Sequence, residues 1–335
     1  MKKLIIPVVI LALLMVATSI AKRSGHVERA AAPAAAKASY ADELYVEVSA
    51  LGGLDYFYDH KLGMQQAGEA LGVRTEYVGP AEYDMPAMIT AFEQTLAKKG
   101  LKGVVVVGFE PVLEPIINKA VGMGIPVVTV DADLPNSRRV AFVGTGNYQA
   151  GYEGGRKLAE LIGGKGKVAL MTKVGQSNLD ERIRGYKDAL ARFPGIQIVQ
   201  IVDTQADAVI AAQVAGAVLS KTPDLAAIGC VEAVGGNGAA VAVQEAKLAG
   251  KVKIVAMDRG NEVLDLIGKG VISASVVQQT ALMPFYATQI LFNLQHHKIP
   301  ITSDNDKAGI SGAPAVVDTG VVIVDEKNYK HFLRK

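Results

Sequence analysis

The stretch Ile125-Pro126-Val127-Val128-Thr129-Val130-Asp131-Ala132-Asp133, followed by Val140-Ala141-Phe142-Val143-Gly144-Thr145-Gly146-Asn147, decides the fold. Its first part is a continuous apolar run enriched in β-branched residues, which suits a parallel strand covered on both faces. Asp131 stands at the carboxyl end of that strand, where open α/β sheets hold their ligands. The second part is another strand running into a glycine-bearing loop. This predicts Asp131 as one wall of a cleft and Val140–Asn147 as a hinge.

Upstream, strand and helix patterns alternate. Leu44–Ser49 reads as a strand, Tyr56–Leu71 as a helix stopped by Gly72, and Val73–Val78 as a strand. Asp84–Lys99 is a helix with Pro86 tolerated in its first turn, Gly103–Val107 a strand, and Glu114–Gly122 a helix. Downstream the alternation begins again and runs through strands at Lys167–Met171, Ile196–Val202, Leu225–Gly229, Val252–Met257 and Ile272–Val277. Helices intervene, the last over Ala281–Leu294, and Ala315–Val324 is a closing extended segment. Strict β-α-β-α order predicts an α/β protein of two doubly wound parallel-sheet lobes. No low-complexity linker separates them, so short hinge strands are expected.

The chain has 335 residues, half of them hydrophobic and a fifth charged, enough for two cores. A formal charge of +2 provides no global field for nucleic acid. The single cysteine, Cys230, excludes an intramolecular disulfide or a cysteine metal cluster. At the start, Lys2 and Lys3 precede the apolar run Leu4–Val16, and Ser19-Ile20-Ala21 offers small residues for a signal peptidase. Residues 1–21 therefore read as a signal peptide to the periplasm, the run being shorter than the ~20 residues of a membrane span. Because Lys22-Arg23 is a poor flank for cleavage, an uncleaved membrane anchor is the alternative. Residues 22–39, rich in alanine, read as a flexible tether.

Enzymatic motifs are missing. A dinucleotide fold needs Gly-x-Gly-x-x-Gly after the first strand, and this turn carries only Gly52-Gly53 before Asp55-Tyr56-Phe57. Gly163-Gly164-Lys165-Gly166-Lys167 precedes a strand and lacks the Ser/Thr of a phosphate loop, so it reads as a surface turn. Gly235-Gly236-Asn237-Gly238 opens a helix, as a tight turn for helix–strand packing. None of the five histidines has metal-site spacing, and there is no nucleophile elbow. No catalytic residue, cofactor or metal is expected.

Polar chemistry gathers instead at strand ends in both halves: Glu110, Asp131 and Asp133, Arg182 after a loop, Glu232, Asp258-Arg259 and Gln278. Carboxylates accept, Arg182 donates as a fork, and Gln278 does both. Tyr56 and Phe57 add flat apolar faces. That mixture suits a polyhydroxylated small molecule, and the excess of acids argues against phosphate.

From about Leu44 to Val324 the chain resembles the type I periplasmic sugar-binding proteins, the ribose-binding-like receptors of ABC importers. The resemblance matches Tyr56 and Phe57 to an aromatic pair that stacks on the sugar, Asp131 to the acid after the fourth strand, and Arg182 to the arginine of Arg182-Ile183-Arg184-Gly185-Tyr186. It also matches Asp258 and Gln278, and brings Glu232 near a position that is commonly asparagine. Ala132 replaces the usual arginine, and Ala256-Met257-Asp258 replaces Gly-Phe-Asp; together with Glu232 these put ribose itself in question. Residues Val321–Phe332 and Gly79–Asp84 look like the branch binding autoinducer furanones or rhamnose.

The resemblance implies a non-catalytic monomer that closes on a monosaccharide or related ligand and delivers it to an inner-membrane ABC permease. It implies crossings near Val143–Asn147, Gln278–Thr280 and Gly309–Ala315, with one lobe formed by residues 40–146 plus 279–310 and the other by 147–278 plus 311–335. A sensor signalling to a histidine kinase or chemoreceptor would share the same residues. A lactose-repressor-type regulator shares the core but begins with a helix-turn-helix, and an enzyme on this scaffold would betray itself by turnover of bound sugar.

Overall fold

The structure is a computed structural model and describes residues 39–334. The expected signal segment 1–21 and all of the expected tether but Ser39 lie outside the described residues. Among those described, no helix is long and apolar enough to cross a membrane.

The first lobe runs β1 (Leu44–Val48), α1 (Tyr56–Leu71), β2 (Arg74–Val78), α2 (Met85–Leu96), β3 (Leu101–Val107), α3 (Glu114–Gly122), β4 (Val127–Val130) and β5 (Ala141–Gly144). The second runs α4 (Asn147–Leu161), β6 (Lys165–Thr172), α5 (Ser177–Leu190), β7 (Gly195–Asp203), α6 (Ala208–Lys221) and β8 (Leu225–Cys230). It continues with α7 (Ala233–Glu245), β9 (Lys253–Met257), α8 (Asn261–Gly268) and β10 (Ala274–Gln278). The chain then forms α9 (Leu282–His296), β11 (Val316–Asp318) and β12 (Val321–Asp325).

The strand chemistry explains the sheets. Val104–Val107 and Val127–Val130 have no exposed surface, as expected of strands with helices on both faces. Each valine so buried contributes about 1.5–3 kcal/mol. The sheet orders are β11-β5-β4-β3-β1-β2 and β12-β10-β9-β8-β6-β7. Leaving out β11 and β12, both lobes repeat the same 2-1-3-4-5 winding, which binds ligands at the carboxyl ends of its strands. All pairings within these sheets are parallel except β10 with β12.

Helix ends follow their residues. Asp84 caps α2 by accepting from the Ala87 N–H, and Asp207 caps α6 by accepting from Val209 and Ile210. Gly72 ends α1 in the left-handed region at φ 69°.

The chain passes between the sheets at Thr145–Gly146, at Gln279–Ala281 and at Thr319–Gly320. The third passage corrects the expectation at Gly309–Ala315. β11 pairs in parallel with β5 of the first sheet, so residues 316–318 belong to the first lobe's sheet and not the second's. The extended segment Ala315–Val324 is therefore two strands in two sheets, broken where Gly320 takes φ 70°. A continuous apolar stretch conceals such a break, because β5 offers an edge that only the assembled sheet reveals. Side chains tie the passages together: Asp318 Oδ1 accepts from both Gly146 N and Gly320 N at 2.8 Å, and Gln279 donates to the Thr319 carbonyl at 2.6 Å.

Candidate functional site

A cavity of about 130 Å³ lies between the lobes, bordered by Tyr56 and Asp59 of α1, Asp258 and Arg259 after β9, Gln278 at the end of β10, and Arg334. At about 30 Å³ of liquid volume per water it has room for a few ordered waters or a small ligand group.

Two polar chains converge there. From the first lobe, the Tyr56 hydroxyl donates to Asp131 Oδ1 at 2.7 Å. From the second, Arg182 donates through Nε to Asn147 Oδ1 at 2.8 Å, through Nη1 to the Val231 carbonyl at 3.0 Å, and through Nη2 to Gln278 Oε1 at 3.2 Å. Gln278 in turn donates to Asp258 Oδ1 at 2.9 Å. Arg182 is 6% exposed, so every arm of its fork is fixed by protein rather than water. A planar guanidinium held this way orients the amide of Gln278, and the amide orients the carboxylate of Asp258.

The groups are close enough to set each other's protonation. Burial pushes the Asp258 carboxyl above the usual range; Arg182 and the Gln278 hydrogen bond oppose this, while Asp131 and Glu232 add to it. Burial also pushes the Tyr56 hydroxyl well up, reinforced by the charges of Asp131 and Asp258. Tyr56 therefore stays a neutral donor.

Two sequence candidates do other work. Phe57 is 2% exposed and packs edge-on to Phe109 at 6.0 Å and to His60 at 5.0 Å, inside the first lobe's core. Glu232 is the N-cap of α7, accepting from Val234 N at 2.7 Å and from the Thr204 hydroxyl at 2.9 Å. Burial raises its carboxyl. The helix thus begins at Ala233, ahead of the glycines expected to open it. Those glycines let α7 approach its neighbours: a Cβ on Gly238 would meet Ala211 Cβ at 2.4 Å, and one on Gly236 would meet Ala256 Cβ at 2.6 Å. Asp133 is taken by Arg139 at 2.5 Å and Glu110 by the Tyr83 hydroxyl at 2.7 Å.

Other residues were not singled out from the sequence. Asp59 lies three positions from Tyr56, a spacing that puts both on one helix face and was the available signal. Burial drives its carboxyl up, but Arg259, with help from Arg334 and Thr280, outweighs this and holds it below the ordinary value. Glu47 on β1 and His60 on α1 are both wholly buried, with Oε1 and Nδ1 2.6 Å apart. A charge inside Leu44-Tyr45-Val46-Glu47-Val48 was the hint, because a buried carboxylate requires a partner. Nothing in the sequence foretold Arg334, which only the fold-back of the tail brings to the cavity.

The comparisons with known proteins agree with this geometry. A family model described as a periplasmic binding protein domain matches residues 48–298. The D-allose-binding periplasmic protein of Escherichia coli (strain K12) is 29% identical over 237 residues, covering 68% of this chain and 76% of the relative. The structure of an arabinose-binding protein from Geobacillus stearothermophilus superposes with a TM-score of 0.82 at 37% identity, covering 88% of this chain and all of that one. A sugar ABC transporter's sugar-binding protein from Bacillus halodurans gives the same score and identity over 87% of this chain and all of its own. The chain belongs to the type I periplasmic binding proteins, a family of solute receptors and not of enzymes.

Proposed function

We propose that this protein is an exported receptor that closes its two lobes around one monosaccharide-class ligand and hands it to an ABC permease. The observation that carries the reading is the meeting of Tyr56 from one lobe with Asp258 and Gln278 from the other on one interlobe cavity, with Asp131 and Arg182 behind them as hydrogen-bond partners of Tyr56 and Gln278. Tyr56 engages one oxygen of Asp131 and Gln278 one oxygen of Asp258, so each carboxylate keeps acceptor capacity for a ligand hydroxyl. The apolar part of the Tyr56 ring suits the C–H face of a sugar. Relatives named for allose and arabinose support a neutral aldose, and a relative named as part of a sugar ABC transporter supports the permease. The export segment fits a periplasmic site of action. One chain supplies both walls of the cleft, which supports a monomer as the working unit.

Closure follows from differential contact. A ligand touching both walls only in the closed form stabilises that form and no other. Moving a population from mostly open to mostly closed takes about 5 kcal/mol of preference. A few charge-assisted hydrogen bonds at ~1.5–3 kcal/mol each supply it. The test is a thermal-shift screen with pentoses, hexoses, deoxysugars, polyols and furanones, followed by calorimetry of any hit. A sugar present at a hundred times its Kd should add about 2.7 kcal/mol of stability. If no sugar moves the melting temperature while a furanone does, the monosaccharide reading falls; if nothing does, the receptor reading falls with it.

A further inference from the structure

We propose that Asp59, Arg259 and Arg334 form an ionic latch between the lobes that holds part of the ligand-free protein closed. This rests on the two-lobe closure described above, but concerns the protein without its ligand.

Asp59 belongs to α1 of the first lobe and is 3% exposed. Arg259, from the turn after β9 in the second lobe, grips it bidentately: Nη2 donates to Oδ1 at 2.5 Å and Nε to Oδ2 at 3.1 Å. Bidentate pairing fixes direction as well as distance, so the contact exists at one lobe–lobe angle and is lost when that angle opens. The free arm of Arg259, Nη1, donates to the Phe332 carbonyl at 3.0 Å, which ties the C-terminal tail to the same point. The tail returns with a second cation. Arg334 Nη2 donates to Asp59 Oδ2 at 3.3 Å, and its Nη1 lies 3.4 Å from Asp55 Oδ2. Its guanidinium covers the Tyr58 ring at 5.5 Å. Thr280, at a passage between the sheets, completes the set by donating to Asp59 Oδ2 at 3.0 Å.

The position of these groups assigns them to closure and not to either lobe's own stability. Asp59 and Arg259 border the inner cavity on one side and a groove beside the passage Gln279–Leu282 on the other. The contact therefore joins α1 of the first lobe to the turn after β9 of the second, across the wall between the cavity and the Gln279–Ala281 passage. Two cations on one nearly buried carboxylate make the closed arrangement favourable before any ligand enters. An isolated, wholly exposed pair would contribute little, whereas this carboxylate is buried and both guanidinium groups are partly so. Opening exchanges these bonds for water.

The experiment reads lobe separation directly. Spin labels are placed at Val112→Cys and Val174→Cys, exposed positions beyond the carboxyl ends of β3 in the first lobe and β6 in the second, while the native Cys230 is buried. Distances are measured by double electron–electron resonance in the ligand-free protein, then in Asp59→Asn and in Arg334→Gln. The expected result is a short-distance population that falls at least about threefold in both variants and shrinks in molar salt. Arg334→Gln changes a residue next to the chain end, so it reports even where Asp59→Asn fails to fold. The same distribution in all samples, or no short-distance population without a latch mutation, overturns the proposal. Because no sugar is present, these outcomes are independent of whether the sugar screen succeeds.

Discussion

Asp131 and Asp258 occupy the same place in the two lobes. Each follows the fourth strand of its repeated winding, and each donates its N–H to the neighbouring strand, to Val143 O at 3.2 Å and to Val276 O at 2.8 Å. Each also sits in the left-handed region, at φ 64° and 68°. That conformation costs most L-residues roughly 1–2 kcal/mol, and Asp and Asn tolerate it best. The turn aims both carboxylates out of the sheet ends, towards the gap between the lobes. Asp131→Asn and Asp258→Asn should therefore keep the backbone, lose the charge and exchange one acceptor oxygen for an amide donor. Calorimetry with the sugar found by screening should show Asp258→Asn at least about tenfold weaker, a loss of ~1.4 kcal/mol. Asp258→Ala should lose stability as well. Unchanged affinity in Asp258→Asn would remove this carboxylate from the binding site.

The same carboxyl gives a pH signature. Burial raises the folded pKa of Asp258 above its unfolded value of ~3.9. Between the two values the native state holds the proton that the unfolded state releases, so this group's contribution to stability rises as pH falls. At neutral pH, where the unfolded carboxyl is ionised, the raised folded pKa costs stability. Asp258→Asn should thus be the more stable protein in urea at pH 7, with the gap narrowing towards pH 4. A gap that does not depend on pH would contradict the assignment.

Glu47 and His60 form a pair of the opposite sign. Burial lowers the His60 pKa, but Glu47, with smaller contributions from Asp131 and Asp59, outweighs it and raises the value above 6.5. The stabilisation is complete below pH 6.5 and fades as pH climbs through the folded value. Glu47→Gln leaves the imidazole without its charge partner and should cost about 3–5 kcal/mol at pH 6. Replacing both, Glu47→Val with His60→Leu, should recover most of that loss and flatten the alkaline slope. Denaturant titrations of the three proteins between pH 6 and 9 decide it.

How much could be read from the chain follows the range of each interaction. β-branched runs and helix caps are local, so both windings were legible. So were the acids at strand ends, because the crevice rule attaches function to a place in the pattern. Asp131 and Asp258 stand out in the sequence for that reason. Two adjacent helical residues point about 100° apart, so where Tyr56 borders the cavity Phe57 packs into the core. Glu232 concealed a cap, since a side chain ahead of a helix can serve the backbone as well as a ligand. Arg334 and the break at Gly320 depend on surfaces that exist only after the lobes assemble.

The cap role of Glu232 separates it from the ligand set. Glu232→Ala leaves Val234 N–H without its acceptor and should lower stability by about 1–2 kcal/mol. Sugar affinity should change by much less than in Asp258→Asn. Were affinity to collapse with stability intact, Glu232 would be a ligand contact after all.

The placement of Arg182 depends on two glycines. A Cβ on Gly151 of α4 would lie 1.9 Å from the Arg182 carbonyl oxygen, and one on Gly185 of α5 would lie 2.1 Å from that of Tyr148. The two helices thus touch backbone to backbone, and backbone cannot turn aside as a side chain can. Helix propensity favours alanine over glycine by ~1 kcal/mol. Overpacking against a fixed wall costs about 1–3 kcal/mol, occasionally more. The clash should win, so Gly151→Ala is expected to be destabilised and to weaken sugar binding as α5 shifts and Arg182 loses register with Gln278. Gly216, in the middle of α6, supplies the control, because a Cβ there meets nothing within 4 Å. Gly216→Ala should gain up to ~1 kcal/mol from propensity alone and bind sugar unchanged. Urea unfolding and calorimetry of the two variants separate the effects, and a stabilised Gly151→Ala with native affinity would show that the helix pair can yield without moving Arg182.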